Sequence, residues 1–141
     1  MNPAANLRVL LIGGLLPPQL PLESALRDLG YASLVCQHFT QLGEALGSLT
    51  NGGCDVVLAA LILPDCPAAD VFRRLRAASP EVAVILIAPA DLESTALQAV
   101  KEGAYDYLLT HRSDAELIQR SIRYTLARRQ AEDDLRDIQS G

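Results

Sequence analysis

Gly13-Gly14, at the end of the apolar run LRVLLI, is the first place in this chain where chemistry could sit. A glycine turn ahead of a helix can lay backbone N–H groups against a phosphate. A dinucleotide fingerprint needs GxGxxG and a Walker loop ends in GKS or GKT, and neither is present. Leu15-Leu16-Pro17-Pro18 follows instead, and the two prolines remove donors that a phosphate would use. His38 and His111 could be imagined as a metal pair, but no matched acid pattern accompanies them. Asp65 and Cys66 follow the run DVVLAALIL and Pro64. Asp65 carries an oxygen that could accept a phosphoryl group. Cys66 has no cation beside it in the chain to stabilise a thiolate. No serine sits in a GxSxG elbow.

The elements that must position these residues alternate. Apolar runs at 7–12, 32–36, 55–63, 82–88 and 105–109 read as strands, those at 7–12 and 82–88 near-continuous, as in strands buried on both faces. Helical spacing falls between them. The first helix covers 20–29, with Pro21 in its first turn and Gly30 closing it. Thr40 is a candidate cap for the second, which Asn51-Gly52-Gly53 ends, and Gly43 and Gly47 weaken it. The third runs from Ala68 to Ala78 with Val71, Phe72 and Leu75 facing the sheet. Asp91 is expected to cap a fourth through Glu102, stopped by Gly103. Ser113 opens the last, with Asp114 and Glu116 in its first turn. Five strands alternating with five helices predict an α/β, flavodoxin-like, doubly wound parallel sheet of order 2-1-3-4-5. Its functional groups belong at the carboxyl edge, beside strand one. Asp55 starts the third strand, and five residues at about 3.3 Å each set it at the opposite edge.

Length and composition fit that architecture. A chain of 141 residues, half of them apolar, suits one domain with helices on both sheet faces. A net charge of −5 argues against a nucleic-acid surface, so no direct nucleic-acid binding is expected. Cys36, Cys54 and Cys66 form no CxxC pair and read as small apolar fillers in a reducing cytoplasm. No apolar run reaches the ~18 residues of a membrane span, and the start lacks the pattern of a secretory signal.

The order LRVLLI–GG, CDVVLAALILPD, VAVILIAP and KEGAYDYLLTH resembles the receiver domain of bacterial two-component response regulators, over about residues 6–126. The resemblance implies a phosphoryl group taken from a histidine kinase onto an aspartate ending the third strand. That position is Ala60. The two acids that hold Mg²⁺ in the family fall on Gly13 and Gly14. The switch hydroxyl falls on Ala88, the phosphate-pairing lysine on Thr110, and the proline after it on His111. Tyr107 matches the family's aromatic switch position, with packing as its expected role here. The expectation is a degenerate pseudo-receiver with no catalytic residue, no metal and no cofactor.

Residues 1–125 are read as the receiver-like domain and 126–141 as a helical extension. Leu117, Ser121, Tyr124, Arg128, Ala131, Leu135 and Ile138 keep heptad spacing, with Tyr124, Ala131, Leu135 and Ile138 as the seam of a signalling coiled coil. Arg128–Glu132 and Arg129–Asp133 are i,i+4 pairs. In the receiver family the fourth helix, fifth strand and fifth helix commonly form the partner face. Lys101, Asp106, Tyr107, Arg120 and Arg123 lie on that part of this chain. The expected function is cytoplasmic signal transduction through contact with a protein partner or a second copy, leading to an output domain beyond residue 141. Alternatives are a small-molecule sensor in the less charged crevice and an atypical receiver phosphorylated at another residue such as Asp65. A tag-free way to separate these is given by phosphodonor chemistry and by ligand-dependent melting.

Overall fold

The computed structural model describes residues 6–13, 22–51 and 54–140, with Glu23 and residues 136–140 by backbone alone. Gly14, Pro21, Gly52-Gly53 and the Ile138 side chain lie outside the described residues. The elements are β1 (Asn6–Ile12), α1 (Leu22–Arg27), β2 (Ser33–Phe39), α2 (Leu42–Asn51), β3 (Val56–Ala60), α3 (Ala68–Ala78), β4 (Val84–Ala88), α4 (Glu93–Lys101), β5 (Asp106–Leu109) and α5 (Ala115–Ser140). All strand pairs are parallel, in one five-stranded sheet of order β2-β1-β3-β4-β5. The predicted doubly wound topology is the observed one.

Strand alternation divides the core in two. Leu10, Ile12, Val57, Ala59, Val84, Leu86 and Ala88 point to the side covered by α2, α3 and α4, where Val71, Phe72 and Leu75 meet them. Leu7, Val9, Leu11, Val56, Leu58, Ile85, Ile87 and Leu108 point to α1 and α5, where Leu26, Ile118 and Ile122 meet them. The runs at 7–12 and 82–88 read as continuous because β1 and β4 are covered on both faces.

Several local expectations change. β2 continues three residues past Cys36 to Phe39, along β1 as far as Ile12. It is an edge strand with an almost wholly exposed surface, so polar Gln37 and His38 do not end it. Cys36 is therefore exposed rather than a core filler, whereas Cys54 is half-buried and Cys66 buried. Burial pushes the Cys54 thiol up to about 11, consistent with an inert group. Asp91 does not cap α4. Pro89 opens a single 3₁₀ turn over Ala90–Leu92 that contains Asp91, and Leu92, ahead of α4, makes no side-chain cap. At α5 the cap is Asp114, whose Oδ1 accepts the Leu117 N–H at 2.8 Å. Ser113 instead donates its hydroxyl to the Leu109 carbonyl at 2.7 Å.

Candidate functional site

The carboxyl ends of β1, β3, β4 and β5 meet along one edge and gather four of the five positions singled out in the sequence. Gly13 follows β1, and its N–H donates to the Phe39 carbonyl at 2.8 Å. Its φ of +147° is a conformation that a side chain would strain. Its carbonyl lies 2.5 Å from His38 Nε2, and because a carbonyl only accepts, Nε2 carries the proton. Ala60 ends β3 opposite Ile87, half-buried. Ala88 ends β4, fully buried. Thr110 follows β5, with its N–H donating to the Ala88 carbonyl at 3.0 Å.

These positions present a bare α-carbon, two methyls and one hydroxyl. A Mg²⁺ ion asks for a near-octahedral shell of hard oxygens, usually anchored by carboxylates. That donor set does not fit: the strand ends bring no carboxylate, and the Gly13 carbonyl is already engaged by His38. His38 and His111 stand on opposite edges of the sheet, on β2 and after β5, so the structure does not bring them together. Among the described residues, no group of three His, Cys, Asp or Glu side chains gathers where a metal could sit.

Asp65, in the loop after β3, has a different task. Its Oδ1 accepts the Leu42 N–H and its Oδ2 the Gly43 N–H, both at 2.9 Å. The β3–α3 loop therefore caps α2 across 22 residues of sequence, the role expected of Thr40. A methyl at position 43 would sit 3.4 Å from Asp65 Oδ2, so Gly43 leaves the carboxylate room. The amide bonds hold the Asp65 carboxyl below its ordinary range. No local motif marks such a cap, because its partners are remote in sequence.

The second region is the face formed by α4, β5 and α5. Each of three consecutive residues entering or starting β5 is tied to a helix. Tyr105 donates its hydroxyl to Glu132 of α5. Asp106 accepts the Ser121 hydroxyl of α5 at 2.6 Å through Oδ2, while its Oδ1 accepts the Tyr107 N–H at 2.8 Å. Tyr107 donates to Glu93 of α4 at 2.8 Å, and that bond with partial burial raises the Tyr107 phenol above its ordinary pKa. Asp106 is thus an internal anchor as well as a member of the face. Lys101, Arg120 and Arg123 are exposed, and Arg120 lies 5.8 Å over the Tyr124 ring.

The helical seam divides between two surroundings. Tyr124 and Leu135 are 67% and 58% exposed, and Ala131 is exposed as well. Ser121 is only 4% exposed, against β5, and Arg128 stacks 4.4 Å over the Tyr105 ring. Arg128 also pairs with Glu132 at 3.6 Å, as the i,i+4 spacing predicted. Arg129 donates to the carbonyls of Cys54 and Asp55, at 3.0 and 2.8 Å. Asp55 lies at the amino edge, as its place in the sequence required, and accepts the Arg8 N–H at 2.8 Å. Sequence reasoning missed Glu93 and Tyr105, and gave Arg129 and Glu132 only as members of i,i+4 pairs along the helix. A trace of Arg129 existed: it falls seven residues after core-facing Ile122 and so shares its side of the helix.

The comparisons with known proteins agree with this fold. The chain is 38% identical over 114 residues to the sensory transduction protein RegX3 of Mycobacterium tuberculosis, covering 81% of this chain and 48% of the relative. It is 30% identical over 87 residues to the DNA-binding transcriptional regulator NtrC of Rhizobium meliloti, covering 62% of this chain and 17% of that protein. The chain spans about half the length of the RegX3 proteins it matches. Among solved structures, a response regulator receiver domain protein from Clostridium thermocellum superposes with a TM-score of 0.73 at 22% identity, covering 89% of this chain and 98% of that one. NtrX from Brucella abortus reaches 0.81 at 16% identity, covering 96% of this chain and 30% of that one. Both share the fold. Residues 20–122 match the family described as the response regulator receiver domain, and the chain belongs to that family.

Proposed function

We propose that this receiver domain transmits signals by protein contact, without taking a phosphoryl group on an aspartate. The observation that carries this reading is the make-up of the carboxyl edge. Ala60 stands at the end of β3, where the family's acceptor is placed, with Gly13, Ala88 and Thr110 around it. A methyl offers no oxygen to attack phosphorus, and the family's Mg²⁺-holding acids are glycines at 13 and 14 in this sequence. Asp65 is a poor substitute acceptor, because both its oxygens already accept α2 amides. Tyr107, tied to Glu93, lacks the neighbouring hydroxyl and phosphate that drive its rotation in the family.

The face of α4, β5 and α5 is the contact surface in this reading, with Lys101, Arg120 and Arg123 as its charges and Tyr124, Ala131 and Leu135 as its apolar line. Its partner is a second copy or another protein of a cytoplasmic signalling system. An output domain beyond residue 141 is part of the proposal, supported by relatives of which the matched region is about half the length.

Mg²⁺-linked melting tests the reading. A site that binds no Mg²⁺ gains no stability from it. The melting temperature should stay the same when millimolar Mg²⁺ replaces an equal ionic strength of NaCl. A rise that saturates with Mg²⁺ would show a working cation site and refute it.

A further inference from the structure

Past its apolar contacts, α5 is held to the body by a further set of contacts that reaches as far as Glu132. Core-facing contacts of α5 come from Ile118 and Ile122, with Leu126 packed at their margin. Past Leu126 the helix keeps its line for several more turns. There its contacts to the body become polar. Arg129 donates to two carbonyls at the amino edge of the sheet, those of Cys54 and Asp55. Tyr105, one residue ahead of β5, donates to Glu132 and lies beneath the Arg128 guanidinium. Arg128 closes the set by pairing with Glu132.

We propose that Tyr105, Arg128, Arg129 and Glu132 form a latch that docks α5 onto the amino edge of the sheet as far as Glu132, and that opening it releases the helix beyond Leu126 as one unit. Three features give it the character of a latch and not of core. Its groups are polar, so water can replace each bond. The Arg128 and Glu132 side chains are 55% and 43% exposed. Tyr105, Arg128 and Glu132 also line an open cleft of about 320 Å³, together with Arg76, Pro80 and Glu81, so solvent reaches the latch. Its place in the fold gives it reach. Tyr105 and Tyr107 are alternate residues of one short segment, so a shift of β5 that moves Tyr107 against Glu93 also moves Tyr105 against Glu132. With the latch closed, the free part of the helix begins near residue 133 and its direction is fixed by the sheet. With it open, the free part begins near residue 127. The inference holds whether or not the carboxyl edge takes a phosphoryl group.

Amide hydrogen exchange on the 141-residue chain tests it, comparing wild type with Tyr105→Phe and Arg129→Ala. Tyr105→Phe keeps the ring under Arg128 and removes only the bond to Glu132. Arg129→Ala removes the carbonyl clamp together with a positive charge near Tyr105. In wild type the amides of residues 128–132 should be protected nearly as well as those of residues 118–122. Each variant should speed exchange at 128–132 at least threefold, and the double variant more than either, with β3 and β4 unchanged. Glu116→Gln, exposed on the same helix and belonging neither to the latch nor to the proposed contact residues, should change nothing at 128–132. Absence of protection at 128–132 in wild type would overturn the proposal. So would variants that leave those amides unchanged, or that speed β3 and β4 equally.

Discussion

Ser121 is the most informative single side chain to alter, because one hydroxyl joins α5 to β5. It is buried, and its bond to Asp106 Oδ2 is 2.6 Å long. Replacing it by alanine removes little volume and leaves one carboxylate oxygen facing a methyl. A hydrogen bond to a charged group contributes about 1.5–3 kcal/mol. Asp106 is half-buried and keeps its second bond, to the Tyr107 N–H, so the lower half of that range applies. Ser121→Ala should therefore cost about 1.5–2 kcal/mol, a fall in melting temperature of roughly 6–8 °C for a domain of this size. Urea unfolding of wild type, Ser121→Ala, Asp106→Ala and the double variant completes a thermodynamic cycle. The double variant should be little less stable than Asp106→Ala alone, because the hydroxyl has then lost its partner. A Ser121→Ala cost below about 0.5 kcal/mol, or full additivity in the cycle, would refute the reasoning.

Other outcomes follow from the same geometry. Ile122→Ala empties a fully buried site between α5 and the sheet and should cost about 2–5 kcal/mol in urea unfolding. Asp65→Ala should destabilise the protein at neutral pH. Because the Asp65 pKa is lowered on folding, the difference from wild type should be constant above the ordinary carboxylate range and vanish as pH falls through the lowered native pKa. Tyr105 is shifted the other way, up to about 12, first by burial and then by its bond to Glu132. Its contribution is fully present below the ordinary phenol pKa near 10 and is lost as pH rises through about 12. Ultraviolet titration of Tyr105→Phe should lack one late phenol, with the raised Tyr107 phenol remaining. Leu135→Asp should abolish any self-association of the chain seen by light scattering, with the melting temperature unchanged.

The sheet was legible in the sequence because β1, β3 and β4 are covered on both faces, which leaves unbroken apolar runs. Gly13, Ala88 and Thr110 were legible at the carboxyl edge because the runs at 7–12, 82–88 and 105–109 stop beside them, whereas the third run continued to residue 63 and Ala60 was placed by the family resemblance. What escaped notice was held by pairs remote in sequence. Asp65 caps α2 from another loop, so Thr40 looked like the better cap. Asp91 had the right residue type for a cap, but Pro89 started a turn that enclosed it. β2 outran its apolar core because an edge strand can carry Gln37 and His38 outward. Heptad spacing in α5 mixed two faces: Ser121 and Arg128 turn toward β5 and Tyr105, whereas Tyr124 and Leu135 face solvent. Spacing alone carries no sign of which neighbour a residue will meet.

Intact-mass analysis after incubation with acetyl phosphate and Mg²⁺, set beside an Ala60→Asp variant treated identically, tests the central claim most directly. The account predicts that the native chain keeps its mass. A stoichiometric gain of one phosphoryl group on the native chain, released by hydroxylamine as an acyl phosphate is, would contradict it and reassign the domain as a phosphorylated receiver with a displaced acceptor.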